Sequence, residues 1–313
     1  MKRLLTICVS VLLSACSSPR PAAKQLEPDE VPAPVNRLLF GGDVMLTRHV
    51  EKVWRSRKDP AWPFREIATE FAKADLAFVN LESPFHPKPG PPRSGMVFRA
   101  SPEAIESLKL AGIDVVSLAN NHVRDGLDDG LLFTMDWLKK NGVAFAGAGR
   151  SQEEARKGVI LQRNGVKFGF LAYTYDQRNG NHKTDDPRIN GLDLVRLRED
   201  IHDIRREANV TIVSLHAGKE YAPRPDAEQI QLAHAAIEAG ATLVVGHHPH
   251  VVQPCEDYRT GVICYSLGNL IFDQTIRGTN QGLVLEAEFK GPMLRKARTR
   301  KIEIRNTQPV FVP

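Results

Sequence analysis

Cysteine is scarce in this 313-residue chain, with four in all, and tryptophan is scarcer still, with three. Cys8 and Cys16 fall near the N-terminus, so only Cys255 and Cys264 are left for a folded domain. A dense disulfide framework is therefore excluded, and at most one bridge is available. Long apolar runs are missing too. The apolar stretch 4–13 is too short to span a bilayer as a folded helix. No internal repeat is visible. The formal net charge is only +5, and the basic residues are scattered. The densest run holds Arg295, Lys296, Arg298, Arg300 and Lys301 with no aromatic interleaved. That pattern reads as an alternating, solvated strand face, so no nucleic-acid partner is expected. What remains open from the charge is a gentle attraction to an anionic polymer or a membrane surface.

What is present is ordinary globular material. Hydrophobic residues make up 42% and charged residues 25%, enough for one large domain or two small ones. Lys2 and Arg3 precede the apolar stretch 4–13, which fits a signal-peptide core. Leu13-Ser14-Ala15-Cys16 resembles the bacterial lipobox, in which the cysteine is lipidated and becomes the first mature residue. Residues 1–15 are thus expected to be a lipoprotein signal peptide. Residues 16–35, rich in Pro, Ala and Ser, are expected to tether the domain to the membrane. Ser17 follows the cysteine, with no acidic residue to suggest inner-membrane retention. The expected location is the cell envelope, lipid-anchored in the periplasm at the outer membrane.

From residue 36 onward the chain alternates apolar strand-like runs with amphipathic helical ones. Strands are expected at 38–40, 76–82, 114–118, 143–145, 210–215, 242–245, 262–267, 282–289 and 301–305. Helices are expected at 63–73, from Ser101 to 111, and at 125–140, 193–208 and 225–239. Asn164-Gly165 between apolar runs is the strongest hairpin signal. Residues 86–94 and 174–190 are polar, rich in Gly, Pro or Asn, and read as loops. Cys255 and Cys264 flank a second hairpin, so a disulfide is expected there; the alternative is two buried thiols. This order fits an α/β domain, either two packed sheets or one mixed sheet, with helices outside.

The chemistry-bearing residues stand at the ends of these runs. Leu39-Phe40-Gly41-Gly42-Asp43 is an apolar strand that stops on glycines and presents a carboxylate. Glu82, Asn121-His122, His216 and the cluster His247-His248-Pro249-His250 end later runs. Carboxylate, amide and imidazole together suit a borderline divalent metal such as Mn, Zn or Fe, one ion or two. A charged acid at the end of a buried strand is costly unless it is paired or metal-bound.

Taken in order, Gly42-Asp43-Val44-Met45-Leu46, Val79-Asn80-Leu81-Glu82, Leu118-Ala119-Asn120-Asn121-His122, His216-Ala217-Gly218-Lys219-Glu220-Tyr221, Gly246-His247-His248-Pro249-His250 and Tyr265-Ser266-Leu267-Gly268-Asn269-Leu270-Ile271-Phe272 resemble the bacterial poly-gamma-glutamate capsule biosynthesis family typified by CapA. That family is similar to the calcineurin-like metallophosphoesterases. The resemblance implies a metallophosphatase-like two-sheet sandwich with helices on the outer faces, over residues 36–313. It also implies metal ligands at Asp43, Glu82, Asn121, His216 and two of the three clustered histidines, with His248 and His250 favoured. It makes His122 the general acid. Asn269 is a candidate for bonding a ligand side chain, and Arg48 and Arg99 for gripping an anionic substrate. Three features depart from the pattern. Glu82 replaces the commoner aspartate, one methylene longer. Met45 stands where metallophosphoesterases place a histidine, and Ala217 stands where the capsule family has a tryptophan. The function expected is metal-dependent hydrolysis of a phosphoester-like or polymer substrate. The alternative is a non-catalytic factor that binds polymer during capsule or exopolysaccharide assembly. Capsule synthesis and export proteins are the expected partners.

Overall fold

Strand periodicity decides how this chain layers. The computed structural model describes residues 34–90, 96–175 and 186–313. The expected signal peptide, Cys16 and all but the last two residues of the expected tether lie outside the described residues. So do parts of both expected loops.

In β1 (Val35–Val44) successive side chains point to opposite faces. Leu38 and Phe40 enter one buried cluster and Leu39 enters another. β2 (Leu76–Leu81) repeats the division, with Phe78 on the first side and Ala77 and Val79 on the second. Between them lie α1 (Arg48–Arg57) and α2 (Ala68–Phe71). Next come α3 (Ile105–Leu110), β3 (Val115–Ser117), α4 (Leu127–Lys140) and β4 (Ala144–Ala146). β1 to β4 pair in parallel.

The chain then builds a second sheet. Its elements are α5 (Gln152–Lys157), β5 (Val159–Arg163), β6 (Val166–Thr174), α6 (Leu194–Ile204), β7 (Val210–His216), α7 (Ala227–Glu238), β8 (Leu243–His247), β9 (Cys255–Tyr258) and β10 (Gly261–Cys264). The strand order is β5-β6-β7-β8-β10-β9. Cys255 and Cys264 face each other across β9 and β10 and are disulfide-bonded. The chain finally returns to the first sheet through β11 (Asn269–Ile271), β12 (Gln281–Lys290), β13 (Met293–Arg305) and β14 (Gln308–Phe311). That sheet has eight strands, ordered β14-β13-β12-β1-β2-β3-β4 with β11 beside β1.

The two sheets pack face to face. Phe78 of the first stacks on Phe170 of the second, with ring centroids 5.9 Å apart. Phe168 meets Phe289 edge-on at 5.4 Å. Each such buried ring contributes about 1.5–3 kcal/mol through removal from water. Trp54, Leu108, Leu131 and Leu138 cover the outer face of the first sheet. Leu197, Ile201, Leu232 and Ala236 cover that of the second. The layers are helix, sheet, sheet, helix.

Several expected boundaries moved. The helix expected over 63–73 is a short turn at Trp62–Phe64 followed by the four residues of α2. Phe64, Ile67 and Phe71 are all buried, so the apolar spacing is satisfied without a continuous ladder. The helix expected from Ser101 opens with a tight turn at Pro102–Ala104, and Ser101 does not cap it. The strand expected over 262–267 ends at Cys264, and the chain then crosses to the other sheet through Gly268 at φ 68°. Strand 301–305 is the end of the thirteen-residue β13, and α1 and α5 were not expected.

One charged cluster fastens the first sheet. Glu286 on β12 accepts from Arg37 Nε at 2.8 Å and from Arg298 Nη2 at 3.0 Å. The hydrogen bond from Arg37, followed by that from Arg298, lowers the Glu286 pKa to about 2. A depressed carboxyl pKa stabilises the fold above the unfolded value of about 4.3 and loses that contribution as pH falls toward 2. Glu286→Gln should therefore lower stability by about 2–3 kcal/mol at pH 7. It should also flatten the stability profile between about pH 4 and 2; denaturant titration across that window checks both.

Candidate metal centre

The parallel strands of both sheets point their carboxyl ends toward one edge, the place where open α/β sheets bind ligands. Asp43 ends β1, Glu82 follows β2, Asn120, Asn121 and His122 follow β3, His216 ends β7, and His247 ends β8. Two glycines permit the close approach. A Cβ on Gly42 would lie 1.9 Å from the Gly268 carbonyl oxygen, and one on Gly246 would lie 1.9 Å from that of Tyr265.

Asp43 is fully buried. Its Oδ1 accepts from Asn80 Nδ2 at 2.8 Å, and its Oδ2 accepts from the His248 backbone N–H at 3.3 Å. Nδ1 of His250 stands 3.4 Å from Oδ2, and Nδ1 of His247 stands 3.4 Å from Oδ1. Burial works to raise the Asp43 pKa, but the imidazoles of His247 and His250 outweigh it and hold the carboxyl well below its usual range. Glu82 is the opposite case. It is fully buried, and neither carboxylate oxygen accepts a hydrogen bond among the described residues. His250 Nε2 stands 3.5 Å and His122 Nε2 3.9 Å from Oε1. Burial, opposed by His250 and reinforced by Asp43, pushes its pKa well above the usual carboxylate range.

Two donor sets result. In the first, ligand atoms of Asp43, Glu82 and His250 all lie within 4.8 Å of one another. Burial opposes protonation of His250, but Glu82 and then Asp43 raise its pKa to about 9. In the second set, His216 Nε2 lies 2.9 Å from Asn121 Oδ1 and 3.1 Å from His248 Nδ1. Burial, then the neighbouring His248, lowers the His216 pKa well below normal. Burial and then His250 lower that of His248 to about 3. Both rings are therefore neutral, which is the form that binds metal. Mixed oxygen and imidazole donors suit a borderline divalent ion. The unpartnered oxygens of Glu82 are the specific sign of fit, because a buried carboxyl without a hydrogen bond is costly.

The surroundings hold these donors in place. Asn269 Oδ1 lies 3.0 Å from His250 Nδ1, and its amide nitrogen donates to Gln274 and to the Thr279 carbonyl. Asn120 donates to Asn80 Oδ1 at 3.2 Å and to the Leu81 carbonyl at 2.9 Å. His248 and His250 have φ of 97° and 60°, and Tyr221, whose N–H donates to the Pro249 carbonyl, has φ 63°. Side chains rarely adopt this left-handed region, and each instance costs about 1–3 kcal/mol. Three such residues in one loop pair mark a backbone set by the site.

His122 lies beside the first donor set. Its Nδ1 is 2.8 Å from Asp125 Oδ2, and its ring stacks on Phe98 at 4.0 Å. Asp125 Oδ2 also accepts the Phe98 N–H at 2.6 Å. The helix expected from residue 125 begins at Leu127, with Gly126 at its N-cap.

The remaining candidates lie as follows. Arg48 pairs with Asp273 and lies over the rings of Phe98 and Phe272. Arg99 donates from Nε to the Asp125 carbonyl at 2.9 Å. Neither arginine pairs with Glu82. Met45 is buried in the helix-side core, with its sulfur accepting the Thr47 N–H, and supplies no donor. His247 packs near Phe78, and neither of its ring nitrogens has a hydrogen-bond partner among the described residues. Sequence reasoning assigned no role to Asn80, Asn120, Asp125 or Asp273. Asn80 carried a signal: it is the one polar residue in the wholly buried β2, and a buried amide needs partners.

The chain is similar to known proteins over most of its length. The family described as bacterial capsule synthesis protein PGA_cap matches residues 37–274. The PGA biosynthesis protein CapA of Bacillus subtilis (strain 168) is 31% identical over 277 residues, covering 87% of this chain and 73% of that protein. The capsule biosynthesis protein CapA of Bacillus anthracis is 30% identical over 285 residues, covering 86% and 69%. Among solved structures, one described as a novel phosphatase from Mycoplasma pneumoniae superposes with a TM-score of 0.59 at 15% identity. It covers 87% of this chain and 94% of that one. That likeness is one of fold: a metallophosphatase-like α/β sandwich of two mixed sheets.

Proposed function

The chain belongs to the bacterial capsule synthesis protein family, and from that premise we propose that it is a metal-dependent hydrolase of the cell envelope, acting on a phosphoester or a related anionic group. One observation carries the reading. Glu82 is buried with both oxygens unpartnered, facing Asp43 and His250 beside a second set of Asn121, His216 and His248. In this reading Asp43, Glu82 and His250 would hold one divalent ion, and the second set would hold another. A bound ion of this class activates water and polarises a phosphoryl oxygen.

The chain's own groups do the rest. Asn80 and the His248 N–H fix the Asp43 carboxylate, and Asn269 fixes the His250 ring. The Asp125 carboxylate fixes His122 through Nδ1, which leaves Nε2 facing the donor set to protonate the departing oxygen. The Leu13–Cys16 motif supports a lipid anchor, and the family supports an anionic envelope polymer or a phosphorylated precursor as the substrate.

The test is turnover of an aryl phosphate by the purified chain, stripped and then reloaded with Mn or Zn. Hydrolysis should appear on loading and vanish with chelator. Absence of both bound metal and turnover would defeat the reading and favour a polymer-holding role.

A further inference from the structure

The basic run near the C-terminus lies in β13, which pairs with β12, which in turn pairs with β1. The register sets Val35, Lys290 and Met293 side by side in one row across the three strands. Arg37, Glu288 and Lys296 form the next row on the same face. A register shift between Glu288 and Phe289 leaves Arg295 without a cross-strand partner. Lys73 stands at the same end of the sheet, just ahead of β2. This is the end opposite the metal centre: eight residues of β1 separate Val35 from Asp43, roughly 26 Å of strand.

Two observations mark this end as a surface for a partner. Lys73, Lys290, Arg295 and Lys296 are exposed and form no ion pair among the described residues. The acids beside them do not cancel that charge. Asp75 accepts from the Arg37 N–H and from Asn164, and Glu288 lies between Arg37 and Lys296. In addition, Val35 and Met293 are 59% and 54% exposed in the row that holds Lys290. Because β14 pairs with β13 only over 302–305, the start of β13 is a free sheet edge, which cations guard against pairing with another chain. That role does not account for two apolar side chains held in solvent among them.

The expected tether selects the partner. It joins the domain at Val35, in this same row. Eighteen residues separate Cys16 from Pro34 and span at most about 60 Å. A lipid on Cys16 would hold this end close to the bilayer, where a weak second contact is enough because it forms within one anchored molecule.

We propose that this end of the first sheet is a docking face for an anionic phospholipid surface, with Val35 and Met293 entering the headgroup layer and the four cations facing lipid phosphates. The proposal rests on the lipid anchor at Cys16 and is independent of the hydrolase reading. It turns the metal centre away from the bilayer, so that substrate reaches it from solution.

Quenching of a thiol-linked fluorophore by headgroup-nitroxide lipid tests it. The acylated full chain is anchored in phosphatidylcholine vesicles with and without phosphatidylglycerol. One label is placed at Met293→Cys and, on a separate chain, at Ile276→Cys, an exposed position past β11 on the metal-centre side. With phosphatidylglycerol present, quenching at 293 should exceed that at 276 several-fold. Each Lys or Arg near an anionic surface strengthens contact by about fivefold, so Lys290→Gln with Lys296→Gln should weaken it by about 25-fold. Raised salt should act in the same direction. Turnover in that double variant should stay within about twofold, since both residues are remote from the donor sets. Stronger quenching at 276, equal quenching at the two positions, or quenching indifferent to phosphatidylglycerol overturns the docking face. A glutamate polymer that binds through Lys290 and Lys296 while vesicles leave position 293 unquenched assigns the face to the polymer instead. An intact mass without acyl groups on Cys16 overturns the anchor, and the docking with it, while leaving the metal centre standing.

Discussion

Glu82→Met should make the metal-free protein more stable and the metal-loaded protein inactive. The two effects have one cause. The Glu82 carboxyl is fully buried and accepts no hydrogen bond among the described residues, and the Asp43 carboxylate lies nearby. An unsatisfied buried polar group costs about 1–3 kcal/mol, and an apolar side chain of similar length removes that cost. For a domain of this size the melting temperature of the metal-free chain should rise by about 2–6 °C. The same substitution removes a carboxylate from the first donor set, so bound metal should fall and aryl phosphate turnover should drop below detection. The opposite pattern, a lower melting temperature with turnover retained, would mean that Glu82 is an ordinary structural acid. Asp43→Ala should behave differently. Asp43 accepts hydrogen bonds from Asn80 and from the His248 N–H, so its loss leaves donors stranded and should destabilise the chain even without metal.

That contrast bears on what the sequence made legible. Both acids stand at the end of an apolar run, and that alone placed them at strand tips. The reason is geometric: a parallel buried strand is a short continuous apolar segment, and its end is where the chain must turn. The same reasoning located His122, His216 and the histidine cluster, and the structure brings all of these to one edge. It could not tell which acid is supported and which is bare. Asn80 reaches Asp43 across 37 positions, and Asn120 reaches Asn80 across 40. Such pairings depend on strand order, which periodicity does not encode.

The misread elements have similar causes. Residues 63–73 carry helical apolar spacing, yet turns satisfy it equally well once Phe64, Ile67 and Phe71 are buried. Residues 262–267 look like one strand because the signal to leave the sheet, Gly268 at positive φ, comes only afterward. Arg48 illustrates the limit for charged groups. Its sequence position allowed a substrate grip or a salt bridge, and its partner Asp273 lies 225 residues away. Paired in this way, Arg48 lies over the rings of Phe98 and Phe272, at 5.0 and 5.7 Å from their centroids.

His122→Ala should lower kcat by about 10²–10⁴-fold on substrates with poor leaving groups, with bound metal unchanged. Its Nδ1 is engaged by Asp125 and its Nε2 stands 3.9 Å from Glu82 Oε1, so in the proposed reading the ring serves proton transfer. Leaving-group chemistry separates this role from a structural one. An alkoxide must be protonated as it departs, whereas a nitrophenolate is stable without a proton. The deficit should therefore be large for alkyl phosphates and shrink toward tenfold or less for nitrophenyl phosphate, a gradient that misfolding would not produce. Asp125→Asn should show the same gradient in weaker form, because it keeps the shape but no longer holds the Nδ1 proton with a charge. The Phe98 N–H that shares Asp125 Oδ2 at 2.6 Å gives a control. If the aspartate mainly positions the segment around Phe98, Asp125→Asn should lower the melting temperature and depress all substrates alike. A uniform loss across leaving groups in both variants would remove His122 from the proton path, and a loss of bound metal in His122→Ala would move it into the coordination shell.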